Sequence, residues 1–259
     1  MLLTIDVGNT QTTIGAFSET GETITCWRMP TNRADTSDSL RSRLYGYFSM
    51  DDYDIHEVED ACVCSVVPVL TRAWLRCFQR MLGHDPLIVG AGADAGMELC
   101  LKHPEAVGAD RIANAVAATQ DYGHPVIIVD FGTATNIDVV DRQRRYRGGS
   151  IMPGLILSAE ALFSRAAKLS SIPIEAPEHA LGDSTEHALQ SGLVIGAAAQ
   201  AEGLVARIKD ELDIPDAKVI GTGGLARTVS AATDLFDVVD PDLTLRGIRE
   251  IWKWQREHA

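Results

Sequence analysis

At 259 residues and 46% hydrophobic composition, the chain is long enough to bury one large core or two smaller ones. Asp and Glu outnumber Lys and Arg by 36 to 23, and the formal charge of -13 argues against nucleic acid and anionic membrane as partners, although a local arginine, a metal ion or backbone N–H groups still suit an anionic substrate. The five cysteines lack C-x-x-C spacing, no apolar run reaches the ~18 residues of a membrane span, and Met1 leads into Leu2–Asp6 with no basic leader, so the expected location is the reducing cytoplasm.

In chain order, residues 2–7 read as a buried strand, Gly8 to Thr10 as a turn and residues 12–17 as the returning strand, with 23–29 next after Gly21. Thr36, Ser37 or Asp38 caps a helix through Tyr47. A strand at 61–67, with Cys62 and Cys64 on one face, precedes a helix at 69–82 and a short strand at 86–89. Gly90 to Gly96 reads as a flexible loop, because its spacing is wrong for G-x-G-x-x-G and no long helix follows. A helix at 109–120 and an apolar strand at 126–130 follow, then a hairpin of 136–140 with 145–148. Gly148 to Gly154 reads as a constrained loop leading into a helix at 155–168. A helix at 184–212, a strand at 217–220 and a helix at 225–232 complete an α/β pattern, in which Trp74, Trp252 and Trp254 are packing residues.

One pattern occurs twice. Thr4-Ile5-Asp6-Val7-Gly8-Asn9-Thr10 is echoed by Ile128-Val129-Asp130-Phe131-Gly132-Thr133-Ala134, each a buried strand ending in Asp-x-Gly before an antiparallel return. A single Asp-x-Gly is an ordinary strand end, but the matched pair suggests duplicated domains, each presenting one turn. Such a turn suits a nucleotide triphosphate: glycine admits close backbone approach, turn amides and the Asn9 and Thr10 side chains donate to phosphate, and Asp6 suits hydrated Mg²⁺. No P-loop, zinc-protease helix or hydrolase elbow is present. Gly221-Thr222-Gly223-Gly224 after a strand allows a flat ligand such as adenine to meet the backbone, or is a plain turn. In Gly108-Ala109-Asp110-Arg111, Asp110 is either a proton acceptor or a helix cap, and Arg111 either pairs with an anion or is solvated. Thr185 lies at another helix start, where capping by Ser184 is the ordinary explanation.

Taken together, Asp6 to Thr10, Ser65-Val66-Val67-Pro68, Gly108 to Arg111, Asp130 to Thr135, Gly148-Gly149 through Pro153-Gly154, and Gln190-Ser191-Gly192 resemble the type III pantothenate kinase family across nearly the whole chain. The resemblance implies an α/β fold of two tandem actin-like (ribonuclease H-like) domains, residues 1–115 and 116–259, with a nucleotide cleft between them. It implies ATP-dependent phosphorylation of pantothenate, the first step of coenzyme A synthesis, with Mg²⁺, a monovalent cation (K⁺ or NH₄⁺) and a homodimer. By the same resemblance, Asp6, Val7, Gly8, Asn9, Thr10, Gln11, Thr12 and Thr13 form the first ATP-binding segment, and Thr133 adds a phosphate contact. Asp110 accepts the proton, Gly108, Ala109, Asp110, Arg111 and Thr185 bind pantothenate, Asp130 ligates the monovalent cation and Asp6 holds Mg²⁺ through water. Leu101 stands where relatives often carry a tyrosine that contacts pantothenate, and Asn136 replaces a common threonine. The rival readings are a phosphatase or ATPase on the same fold, and an accessory or regulatory protein that has lost turnover.

Overall fold

The computed structural model describes residues 1–165 and 172–258. They form two compact units, the first made of 1–96, 103–117 and 244–259, the second of 97–102 and 118–243. Chain order and unit membership therefore part at the C-terminus, where 244–259 join the first unit.

In the first unit, β1 (Leu2–Val7) is the central strand of a five-stranded sheet ordered β3-β2-β1-β4-β5, with β2 at Gln11–Phe17, β3 at Thr23–Pro30, β4 at Asp60–Ser65 and β5 at Leu87–Val89. β1 runs antiparallel to β2 and parallel to β4, so both its edges are paired. Its alternation sends Leu3, Ile5 and Val7 into a core with Leu40, Leu44 and Phe48 of helix α1 (Ser37–Met50) and Leu70, Trp74 and Phe78 of helix α2 (Pro68–Leu82). Burying each of these large side chains stabilises the fold by roughly 1.5–3 kcal/mol. Thr36 caps α1, its hydroxyl accepting from the Ser39 N–H while the Ser39 hydroxyl accepts from the Thr36 N–H. Pro68 opens α2 and Gly83, at φ +78°, ends it. Helix α3 spans Ala109–Tyr122.

In the second unit, β6 (Val126–Phe131) is central to a sheet ordered β10-β9-β6-β7-β8, where β7 is Ala134–Val140, β8 Tyr146–Pro153, β9 Lys218–Thr222 and β10 Val238–Val239. Numbered from its own first strand, this sheet has the same order as the first one, and again the central strand is antiparallel to the strand that follows it and parallel to the fourth. Helices α4 (Leu155–Arg165), α5 (Thr185–Gln190), α6 (Gly196–Leu212) and α7 (Ala226–Ser230) accompany it, with Val194, Ala198, Val205 and Val229 packed into one core with Ile127, Val129, Val139 and Val219. The doubled Asp-x-Gly pattern thus sits on a doubled topology.

Two expectations are corrected, and one helix is unexpected. Gly148 to Pro153 is strand, not loop: a Cβ at Gly149 would come within 2.6 Å of the Ile137 carbonyl carbon, and Gly148, at φ +89°, lies where the register slips opposite Val139 and Val140. The glycines there serve close strand pairing, and only Gly154 leaves the strand. The helix expected at 184–212 is divided by a π-helical turn, Ser191–Ile195. A helix with no counterpart in the sequence reading, α8 (Leu243–Glu257), buries Leu245, Ile248 and Ile251 in the first unit. Residues 166–168 of the expected 155–168 helix lie outside the described residues. Gly90 to Gly96 is a loop as expected, with Gly92 pressed on the Glu105 backbone and Gly96 lying under the Trp254 ring. Among the described residues no helix is long and apolar enough to cross a membrane.

Candidate active site

The β1–β2 turn is tightly built. The Gly8 N–H donates to the Gln11 carbonyl at 3.0 Å, and a Cβ on Gly8 would stand 2.9 Å from that oxygen. The residue after β3 braces the turn: the Thr31 hydroxyl donates to the Gly8 carbonyl at 2.8 Å and lies 2.9 Å from the Thr12 hydroxyl. Thr12 is therefore turned inward, whereas Asn9, Thr10 and Gln11 are exposed at the tip. Arg33 donates to the Asn9 side-chain oxygen at 3.2 Å. Asp6 and Thr13 are half-buried register partners at the end of the ladder.

Asp6 is also the register partner of Cys64 on β4, and Asp110 of α3 is near enough to act on the same thiol through its charge. Burial pushes the Cys64 thiol well above its ordinary pKa, and the nearby carboxylates of Asp6 and Asp110, then Cys62, push it the same way. The thiol is thus a neutral, fully buried floor beside two carboxylates that are far apart in sequence. Cys64 is expected on a buried face, but nothing local to residue 64 links it to Asp110, whose charge reaches it from a part of the chain far away in sequence.

Asp110 is not the helix cap. The first helical bond of α3 runs from the Ile112 N–H to the Gly108 carbonyl at 3.2 Å, which puts Gly108 at the cap. Asp110 sits in the first turn, its Oδ1 accepting from the Arg111 N–H at 2.9 Å and folded back over Gly108, where a Cβ would stand only 2.5 Å away. A carboxylate there is favoured by the positive end of the helix dipole. Ala109 is buried, and Asp110 and Arg111 are half-buried.

The β6–β7 turn of the second unit is one residue shorter, the Phe131–Thr135 pair closing a three-residue loop where Val7–Thr12 closes four. Thr133 is exposed at its tip. Gly154 makes room for it, since a Cβ there would come within 2.6 Å of the Gly132 carbonyl oxygen. Gly223, at φ +90°, presses on the Asp130 carboxylate and would put a Cβ 2.7 Å from the Phe131 nitrogen. Gly221 is covered by the Phe236 ring, so of the four residues 221–224 only Gly224 is exposed. Thr185 is exposed in the first turn of α5, where Ser184 does the capping by accepting from the His187 N–H. The π-helical turn that contains Ser191 and Gly192 lines a largely apolar cavity of about 710 Å³ with Thr135, Pro153, Leu155 and Leu162.

Solved structures with the same fold include a Campylobacter jejuni protein described as a conserved Baf-family transcriptional activator, 17% identical, with a TM-score of 0.63 over 98% of this chain and 99% of that one. Another is the activator of 2-hydroxyisocaproyl-CoA dehydratase from Clostridium difficile, solved with ADPNP: 10% identity, TM-score 0.57, 99% of this chain and 97% of that one. The class is therefore the actin-like ATPase fold, with its two like-ordered sheets. The family model for type III pantothenate kinase matches residues 2–207, and the type III pantothenate kinase of Exiguobacterium sibiricum is 42% identical over 98% of this chain and 99% of its own length. The chain belongs to the type III pantothenate kinase family. It is a pantothenate kinase, and the phosphatase and accessory-protein readings are not favoured.

Proposed function

We propose that the chain moves the γ-phosphoryl group of ATP to the primary hydroxyl of pantothenate, with Asp110 accepting the hydroxyl proton. The observation that supports this reading is that Asp6, the register partner of Cys64, and Asp110, in the first turn of α3, both belong to the first unit and both act electrostatically on the buried Cys64 thiol. The ADPNP held by the C. difficile relative of the fold supports ATP as the donor. Residues Asp6 to Thr13 form the first ATP segment: the exposed tip Asn9-Thr10-Gln11 offers donors to phosphate, while Val7, Gly8 and Thr12 hold its shape. Thr133 offers a phosphate contact from the second unit.

Gly108, Ala109, Asp110 and Arg111, with Thr185, bind pantothenate, the Arg111 guanidinium being suited to its carboxylate. Phosphoryl transfer of this kind depends mainly on positioning and electrostatics, and a positioned carboxylate contributes by receiving the proton as the oxygen attacks. Asp6 would hold Mg²⁺ through water, and the ion would supply positive charge to offset the triphosphate. Asp130 fits a K⁺ or NH₄⁺ ligand, since the absent side chain of Gly223 leaves its carboxylate room. Exposed Ile151 on β8 and Ile156 and Leu157 on α4 leave apolar surface suited to a second copy of the chain, which supports the homodimer, and five free cysteines suit the cytoplasm.

The test is Asp110→Asn. The variant keeps ATP and pantothenate binding by calorimetry while turnover falls about 10²–10⁴-fold. Near-parental turnover would remove Asp110 from this role.

A further inference from the structure

Helix α8 lies beyond the residues 2–207 that the family model matches, yet it is built into the unit that carries Asp110. We propose that Thr244 is a positioning residue for phosphoryl transfer: its hydroxyl holds Asn114 and so fixes the setting of the helix that presents Asp110. This rests on the reading of Asp110 as the proton acceptor.

Asn114 follows Asp110 by four residues, one turn along α3 and on the same face, and is fully buried. Its Oδ1 accepts from the Thr244 hydroxyl at 2.7 Å. Three residues further along α8, Gly247 lies directly on Ala113: a Cβ there would stand 2.8 Å from the Ala113 Cα and overlap its carbonyl. Two successive residues of α3 are thus gripped by one face of α8, the first by backbone contact and the second by a directional hydrogen bond.

The grip has a fixed footing. The Trp252 indole N–H donates to the Asp60 carboxylate at 2.8 Å, and Asp60 begins the same β4 strand that carries Cys64, the register partner of Asp6. Gln255 donates to the Asp94 carbonyl at 3.0 Å. Since α8 is anchored to β4 and also to α3, it sets where α3 stands against the strand whose neighbour bears Asp6. Loose packing alone would let α3 slide along its axis, and Asp110 would move with it. Misplacement of a reacting group by about 1 Å is enough to cost on the order of 10²-fold in rate.

The experiment compares Thr244→Val, Thr244→Ser, Asp110→Asn and the double variant Thr244→Val/Asp110→Asn, using full-length protein with ATP and pantothenate. Thr244→Val should lower kcat roughly tenfold, with the KM for ATP within about twofold of the parent, and Thr244→Ser should restore most of the rate. In the Asp110→Asn background the same change should alter the residual rate by less than about twofold, because there is no longer a base to misplace. Melting curves establish that each variant is folded; if Thr244→Val is not, Thr244→Ala takes its place in the cycle. An undiminished tenfold loss in the Asp110→Asn background, or no loss in the parent background, overturns the positioning role. Near-parental turnover of Asp110→Asn alone overturns the underlying reading, and this proposal with it.

Discussion

Gly223→Ala is the sharpest single test of how the second unit holds its Asp-Gly turn. Gly223 has φ +90°, where a residue with a Cβ is strained by roughly 1–2 kcal/mol. The new methyl would also meet the Asp130 carboxylate and approach the Phe131 nitrogen and carbonyl carbon to 2.7 Å each, and overpacking of that kind costs about 1–3 kcal/mol. Together these destabilise the unit by roughly 2–5 kcal/mol, and at about 4 °C per kcal/mol for a domain of this size the melting temperature falls by roughly 8–20 °C. The carboxylate is the softer neighbour and must swing aside, so the K⁺ concentration for half-maximal activity should rise as well. The control is next door: Gly224 has nothing within 4 Å of its Cβ position, and Gly224→Ala should be neutral or slightly stabilising. Calorimetric melting and a K⁺ titration of turnover on the three proteins decide it. If Gly223→Ala melts within about 2 °C of Gly224→Ala and responds to K⁺ identically, the close approach does not exist.

Asp130→Asn should weaken activation by K⁺ or NH₄⁺ without unfolding the protein, and a parental K⁺ response in steady-state kinetics would sink the ion assignment. Asp141 concerns acid stability: burial alone would raise its pKa, but hydrogen bonds from the Arg145 side chain and N–H, Arg147 and the Gln143 N–H outweigh it and hold the carboxyl down to about 2. Its contribution, roughly 2 kcal/mol, is present in full above the unfolded value near pH 4 and is lost as pH falls through about 2, so denaturant midpoints of Asp141→Asn should be lower than the parent's at pH 7, with the gap closing steadily below pH 4 and vanishing only below about pH 2. Ile156→Glu puts a charge beside the exposed Leu157 of α4, and sedimentation should show its mass halved relative to the parent; an unchanged mass would rule out this part of α4 as the dimer contact.

What the sequence made legible follows from how local its signals are. The two Asp-x-Gly turns were visible because each is written in a few consecutive residues, buried strand then glycine, and the like-ordered sheets show the echo to be structural. Strand β8 was misread because Gly148, Gly149 and Pro153 are turn signals by composition, while their actual use depends on Ile137 of the neighbouring strand. Helix α8 escaped notice although Leu243, Ile248, Ile251 and Trp252 recur at helical spacing. Gly247 in its middle costs a helix about 1 kcal/mol relative to alanine, and only its contact with Ala113 gives a reason for it. Of the candidate site, the turns and the Gly108 to Arg111 segment were readable one by one. That Cys64 joins Asp6 to Asp110 was not, since nothing near residue 64 refers to residue 110.

The return of residues 244–259 to the first unit reverses the order in which the chain can mature on the ribosome. The first unit is synthesised first, but Leu245, Ile248 and Ile251 close its core, and they emerge only after all of the second unit. At about 5–20 residues per second, the early-made sheet with its face toward α8 still bare waits seconds for the rest of the chain, while residues 118–243 already have every strand of their own sheet. A premature stop before residue 243 would therefore leave its damage at the opposite end of the sequence, in the unit that carries Asp6 and Asp110.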